Sequence, residues 1–274
     1  MKISITAVDD ASPTAPFVLR GNYSDSIRAA AKIGFEGVEL HLSDPAHLDV
    51  DDVLRTKQAE GVSISSIGTG MAFLREGITL THADPTIRQR ALQRMQEFIR
   101  LSAKVGGVVI VGLIKGTVKD HGSREGFDKT FSAALDRLLD LASQLDVNLV
   151  IEAVNRYESD ILNTIEEMAT FTRRFQTPRL KVHIDTFHMN MEEVDFSACI
   201  EAAQGHIGHV HIADSNRRYP GQGHFRFDSV LQALQRIDYR GALAVECIPW
   251  PSSEEAARQA CAYLKARVRP HVAA

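Results

Sequence analysis

Four ionisable side chains stand at the ends of consecutive apolar runs in the second half of the chain. "LVIEAVNRYE" closes its run at Glu152, "VHIDTFHMN" at Asp185, "HVHIADSN" at His211 and "AVECIP" at Glu246. Taken singly, each has an ordinary reading. An acid at a strand end is usually a helix N-cap or a surface charge. A lone histidine after an apolar run is more often a satisfied core residue. "VHIDTFHMN" carries the ambiguity openly: Asp185 could cap the next element with His188 as a satisfied neighbour, or the segment could belong to a site. Three carboxylates and an imidazole gathered in one place would repel and lose hydration unless a cation sat among them. A divalent metal resolves that conflict. Hard oxygen donors with one imidazole favour Mn²⁺, with Mg²⁺ and Co²⁺ as alternatives, whereas a thiolate-rich set would indicate structural Zn²⁺. Cys247 adjoins Glu246, but strand alternation turns it to the opposite face, as packing.

These residues converge only if their strands lie parallel in one sheet. The chain alternates short β-branched runs with amphipathic helical patterns. The expected strands are Ile3–Val8, Gly37–Leu42, Val62–Gly68, Val108–Leu113, Asn148–Ala153, Leu180–Asp185, Ile207–Ala213 and Ala242–Glu246. The expected helices are Asn22–Ile33, Val50–Glu60, Asp84–Lys104, Arg124–Leu145, Thr164–Phe175, Asp195–Gln204, Asp228–Arg236 and Ser253–Val268. Asp84-Pro85 is a strong helix start, an N-cap followed by proline at the first helical position. Val108–Leu113 is almost wholly Val, Ile and Leu, as in parallel strands buried on both faces. Eight strand–helix units fit a parallel (β/α)8 TIM barrel, α/β in class, as a single domain over 1–274. A doubly wound open sheet is the alternative. It would be favoured by a glycine-rich turn after the first strand, where "TAVDDASP" has none. In a barrel, the strand C-terminal ends line the active site.

The 274 residues are 44% hydrophobic and 24% charged, an ordinary globular balance, and the net charge of −4 shows no basic field for nucleic acid. Three cysteines without a CxxC pattern argue against a disulfide framework and for a reducing compartment, so a cytoplasmic location is expected. "MKISITAVDD" is too short an apolar start for a signal peptide, and Val105–Ile114 is far short of the roughly 20 residues that span a bilayer.

The segments "IEAVNRYE", "HIDTFHMNMEE", "HVHIADSNRRYPGQGHF" and "AVECIP" resemble the xylose isomerase-like TIM barrels. Among these they resemble the ketose 3-epimerases (tagatose, psicose and ribulose epimerases) and related sugar isomerases. In the first half the likeness rests on "GFEGVEL" and on "GTGMAFL" with "LTHADPTIRQRAL". The resemblance implies that Glu152, Asp185, His211 and Glu246 bind the metal, and that Glu152 and Glu246 also transfer protons. It implies that Glu158 contacts the substrate's terminal hydroxyl end, with His188 and Arg217 on oxygens near the reacting carbons. The plainer readings are a solvated loop acid for Glu158, a surface base for Arg217, and for His188 a group that orients Asp185.

The implied chemistry is proton transfer α to a ketose carbonyl through a metal-stabilised enediolate. One glutamate removes the proton and the other returns one on the opposite face, which epimerises C3 of a free ketose. An inosose dehydratase-like lyase and a hydroxypyruvate or tetrulose isomerase would use the same enolisation. An endonuclease IV-type DNA repair enzyme shares the fold, but the turns "SSIGTG" and "VGLIKG" lack histidine and "SNRRYP" stands where an Asp-x-His pair would be expected. A small sugar is therefore the expected partner, and the resemblance implies a homodimer or homotetramer. Phe73, Phe187 and Trp250 are candidates for the pocket wall, with His41 a weaker one. Pro220–Phe225 reads as a tight turn. Arg226 stands near a place where relatives often carry an acid.

Overall fold

Eight parallel strands pair in chain order: β1 (Lys2–Val8), β2 (Gly37–His41), β3 (Ser63–Gly68), β4 (Val108–Val111), β5 (Leu149–Glu152), β6 (Leu180–Asp185), β7 (Ile207–Ile212) and β8 (Ala242–Val245). β8 then pairs with β1, in register from Lys2↔Ala242 to Ile5↔Val245, and closes the barrel. This computed structural model describes residues 1–268. Residues 269–274 of the expected 1–274 unit lie outside the described residues. The two-residue strand Leu19–Arg20 pairs with the last two residues of β1, beyond its pairing with β8.

Helices wrap the outside because every second strand residue is apolar and points away from the barrel axis. Leu149, Ile151, Val182, Ile184, Val210 and Ile212 share one core with Phe127, Phe131, Met168 and Leu234 of the surrounding helices. The helices start where their caps dictate. Asp84 Oδ1 accepts from Thr86 N–H at 2.7 Å ahead of Pro85–Val105, and Thr164 and Glu167 form a reciprocal capping box ahead of Ile165–Arg173.

The inward-facing positions are polar to an extent that layers of branched apolar residues would not give. Ser4, Thr6, Glu39, His41, Ser66, His183, Asp185, His209 and His211 are all at most 5% exposed. Several of them bond across the barrel, Ser66, His209 and His211 to Glu39, whereas both ring nitrogens of His183 find no hydrogen-bond partner.

Most expected elements agree with the structure to within one or two residues. β4 ends at Val111 instead of Leu113, where the chain breaks into a 3-10 turn at Leu113–Lys115. The last helix ends at Lys265 instead of Val268. Sequence periodicity also passed over three short helices on the strand C-terminal side: Gly70–Glu76, Val118–His121 and Thr186–Glu192. At four to seven residues they are too short to show a period. Among the described residues no helix is long and apolar enough to cross a membrane.

Candidate metal centre

β5, β6 and β7 deliver Glu152, Asp185 and His211 to one end of the barrel, and Glu246 follows one residue after β8. Ligating atoms of Glu152, Asp185 and His211 lie within 4.8 Å of one another. His211 Nδ1 is 3.5 Å from Glu246 Oε2 and 4.0 Å from Glu152 Oε1. All four strand-end residues therefore come together around His211 Nδ1.

Asp185 stands in this cluster and also caps the next element. Its Oδ1 accepts from Phe187 N–H at 2.8 Å and caps the helix Thr186–Glu192. Its Oδ2 is buried with no hydrogen-bond partner, as is His211 Nδ1. Two buried polar atoms without partners inside a carboxylate cluster fit a bound cation, because a buried polar atom without a partner is costly. Three carboxylates and one imidazole suit a hard divalent ion.

The electrostatics agree. Burial, with Glu246 and Asp185 beside it, pushes Glu152 up to about 8. Burial likewise raises Asp185 to about 6, although Arg217 opposes it. Glu246 is buried too, yet the imidazole of His211 and the guanidinium of Arg217 hold it down to about 2. The raised pair measures how poorly these carboxylates tolerate ionisation together without added positive charge.

Glu39 is the main group that strand-end reading missed. It lies on β2 and is fully buried. Its carboxylate accepts from Nε2 of His41 at 2.5 Å, of His209 at 2.7 Å and of His211 at 2.8 Å, and from the Ser66 hydroxyl. A carboxylate can only accept when ionised, so each imidazole must present Nε2–H. Burial opposes the charged form of His211, but Glu39 and Glu246 raise its imidazole well above the ordinary value, so without a metal Nδ1 also carries a proton toward the acids; a bound cation would displace that proton and take the Nδ1 lone pair, as in the carboxylate–histidine–metal arrangement. Burial works against the ionised form of Glu39, but His211, His41 and His209 hold its carboxyl well below the usual range. The signal was available: Glu39/His41, His183/Asp185 and His209/His211 are pairs two apart on a strand, so each shares a face.

His188 is 3% exposed at its side chain, and its Nε2 stands 3.8 Å from both Glu152 Oε1 and Asp185 Oδ2. Those distances exceed a hydrogen bond, so His188 does not hold Asp185 in place. Its Nδ1 accepts from Asn155 Nδ2 at 2.6 Å, and the same amide donates to Glu158 Oε1 at 2.9 Å. Burial, and then Arg217, keep the imidazole pKa well below its ordinary value, so the neutral ring presents Nε2–H between the two acids.

Arg217 adopts φ 60°, left-handed backbone that a non-glycine residue rarely takes. Its guanidinium reaches Glu246 Oε2 at 3.2 Å and Glu158 Oε1 at 3.4 Å, and lies 4.6 Å over the Phe187 ring. Neither Arg217 nor Glu158 is thus a free surface charge.

The other expected wall residues divide. Phe187 faces the site through Arg217 and His188. Phe73 is half-buried on the helix Gly70–Glu76 instead of on a loop. Trp250 is 44% exposed and carries the Arg218 guanidinium at 3.9 Å. His41 packs at 4.4 Å from the Phe17 ring and reaches Glu246 Oε1 at 3.8 Å. Pro220–Phe225 is a tight turn, folded around Asp214, whose carboxylate accepts from Ser215, Gly221 and Phe225 N–H. Arg226 is the exposed cap position of Phe227–Arg236. Cys247 is fully buried, and burial raises its thiol.

Lys115 was also missed, because a single lysine after an apolar strand reads as a surface residue. It is fully buried on the turn after β4, and its Nζ has no hydrogen-bond partner. Burial lowers its ammonium to about 8 against the opposing fields of Glu152, Asp160 and Glu158.

The sequence profile of the xylose isomerase-like TIM barrels matches residues 27–267. The chain belongs to this family. Within it, the chain is 31% identical over 226 residues to a ketose 3-epimerase of Arthrobacter globiformis, covering 81% of this chain and 76% of that one. It is 33% identical over 227 residues to an L-ribulose 3-epimerase of Methylomonas sp. strain DH-1, covering 81% and 77%. A crystal structure of a Methylomonas D-allulose 3-epimerase in complex with D-allulose superposes with a TM-score of 0.82 at 28% identity, over 97% of each chain. These relatives are isomerase-type enzymes by name, and the family's barrel is the one described above.

Proposed function

We propose that the protein is a divalent-metal-dependent isomerase that epimerises C3 of a free ketose. The observation that carries this reading is the placement of two glutamates, at the end of β5 and one residue past β8, strands separated by two others, at 4.0 and 3.5 Å from His211 Nδ1. Relatives named ketose 3-epimerase and L-ribulose 3-epimerase support the same reaction.

Glu152, Asp185, His211 and Glu246 would hold the metal, Mn²⁺ by preference and Mg²⁺ or Co²⁺ as alternatives. A bound divalent ion supplies Lewis-acid stabilisation of the negative charge that develops when a proton α to the carbonyl leaves. The chain's own residues do the rest. One of the two glutamates takes the C3 proton through a carboxylate oxygen, and the other delivers a proton to the opposite face. His188 donates Nε2–H to a substrate oxygen, and Arg217 and Glu158 hold oxygens at the neighbouring positions. Phe187 and the buried floor limit water around the reacting carbon. A free sugar is favoured over a phosphorylated one because Arg217 is already paired with Glu158 and Glu246.

Cys199, Cys247 and Cys261 are free thiols, which supports a reducing, cytoplasmic setting. A homodimer or homotetramer is the assembly to test by light scattering. The activity test is an NMR screen of ketoses in D₂O with added Mn²⁺. Deuterium at C3 with formation of the epimer is the expected result. Loss of water would make the protein a dehydratase, and exchange at C1 alone an aldose–ketose isomerase.

A further inference from the structure

The loop after β5 and the helix Thr186–Glu192 after β6 are joined at two adjacent points. The backbone N–H and guanidinium of Arg156 hold the Glu192 carboxylate at 2.7 to 3.1 Å. Asn155, the residue before it, is buried and reaches His188, one helical turn before Glu192 on the same helix face. The loop that carries Asn155 is fixed by its own bonds. Asn155 C=O accepts from Glu158 and Ser159 N–H at 3.1 and 3.0 Å. Asn163 Nδ2 donates to the C=O of Val154 at 2.7 Å and of Ser159 at 2.8 Å. The Asn155 side chain therefore meets His188 from a fixed base.

Two neighbours with no choice of role fix which way the Asn155 amide faces. Tyr157 N–H can only donate, and it points at Oδ1 at 2.9 Å. Glu158, paired with Arg217, presents carboxylate Oε1 as an acceptor 2.9 Å from Nδ2. Nδ2 is thus the donor end. Its other hydrogen goes to His188 Nδ1 at 2.6 Å, so that nitrogen carries the lone pair and the ring proton sits on Nε2. Nε2 faces Glu152 Oε1 and Asp185 Oδ2 at 3.8 Å from each, beyond a hydrogen bond, so its proton is unused within the protein. The bond from Tyr157 N–H is an ordinary Asx turn, which aspartate makes as well as asparagine. Only an amide accepts at one end and donates twice from the other.

We propose that Asn155 is a positioning residue: by donating to His188 Nδ1 it fixes the imidazole as the Nε2–H tautomer, and so gives the pocket a hydrogen-bond donor, not an acceptor, for a ketose oxygen. This rests on the ketose reading of the site. The test compares the metal-loaded full chain with Asn155→Asp, His188→Gln and the double variant. Asn155→Asp keeps the side chain's size and the turn, but offers His188 an acceptor in place of a donor. The first readout is the imidazole ¹⁵N spectrum of the Mg²⁺-loaded protein, with His188 assigned by the signals lost in His188→Gln. The parent ring should carry its proton on Nε2 alone, and Asn155→Asp should place one on Nδ1. The second readout is kcat/KM for C3 deuterium exchange of D-fructose and D-tagatose with Mn²⁺. Asn155→Asp should lose roughly ten- to hundredfold, as expected when a buried polar group is left facing the wrong partner. In the His188→Gln background the same substitution should cost at least about fivefold less, because the ring through which Asn155 acts is gone. A merely structural role would cost the same in both backgrounds. A smaller difference between the backgrounds, or a parent imidazole protonated at Nδ1, would overturn the assignment. The two readings fail differently. No exchange of any ketose by the parent removes both, whereas exchange with equal losses in the two backgrounds removes only the role of Asn155.

Discussion

Glu39 Oε1 and His211 Nε2 are joined by a 2.8 Å hydrogen bond across the barrel, from β2 to β7. That bond fixes which imidazole nitrogen faces the acids. Glu39→Gln keeps the shape but loses the ionised acceptor, so His211 can turn its proton toward Nδ1. Outer partners of this type typically contribute 10- to 100-fold in metal affinity. Calorimetric titration with Mn²⁺ should show a loss of about that size, with the secondary structure retained. Parent-like affinity in Glu39→Gln would remove Glu39 from the metal's support.

The contrast between Glu39 and the strand-end set shows what the sequence reveals and what it hides. Asp185, His211, Glu152 and Glu246 were legible because each interrupts an apolar run where a barrel strand must end. Glu39 was not, although "GVELHL" has the same form, because its partners lie on β3 and β7 and only closure of the barrel brings them together. Lys115 hid for a related reason. Its burial depends on the 3-10 turn after Val111, and nothing in "VGLIKG" announces that turn. The alternation of strands and helices was readable because it is periodic. The short helices on the strand C-terminal side were not, and one of them, Thr186–Glu192, carries His188 and Phe187.

The pH dependence of the metal-free protein should run opposite to that of an ordinary salt-bridged acid. Glu152 ionises near 4.5 in the unfolded chain but is pushed up to about 8 when folded, by burial and by Glu246 and Asp185. Between those values the folded state binds the extra proton, so stability is present at the acid end and is lost as pH rises through the window. Glu152→Gln cannot ionise and escapes that loss. In chelator, the Tm advantage of Glu152→Gln over the parent should widen from the acid end to the alkaline end. A constant gap would contradict the raised value. Metal binding to the parent should strengthen over the same range, because it displaces those protons.

Arg217 holds Glu158 and Glu246 at once and lies on the Phe187 ring. A lysine ammonium cannot reproduce that fork or stack. Arg217→Lys should raise KM on the order of tenfold, as expected from the loss of a charged hydrogen bond, while metal affinity changes little. Steady-state kinetics with metal occupancy measured in parallel would check this. Unchanged KM with a depressed Tm would make Arg217 a structural residue.

The central claim is that Glu152 and Glu246 share proton transfer at C3, one on each face of the bound sugar. The direct measurement is epimerisation by Glu152→Gln and Glu246→Gln at saturating Mn²⁺, with bound metal and folding verified for each. Loss of a positioned acid–base group should lower turnover at least about 10²-fold in both variants. Full epimerase activity in either metal-loaded variant would contradict the account.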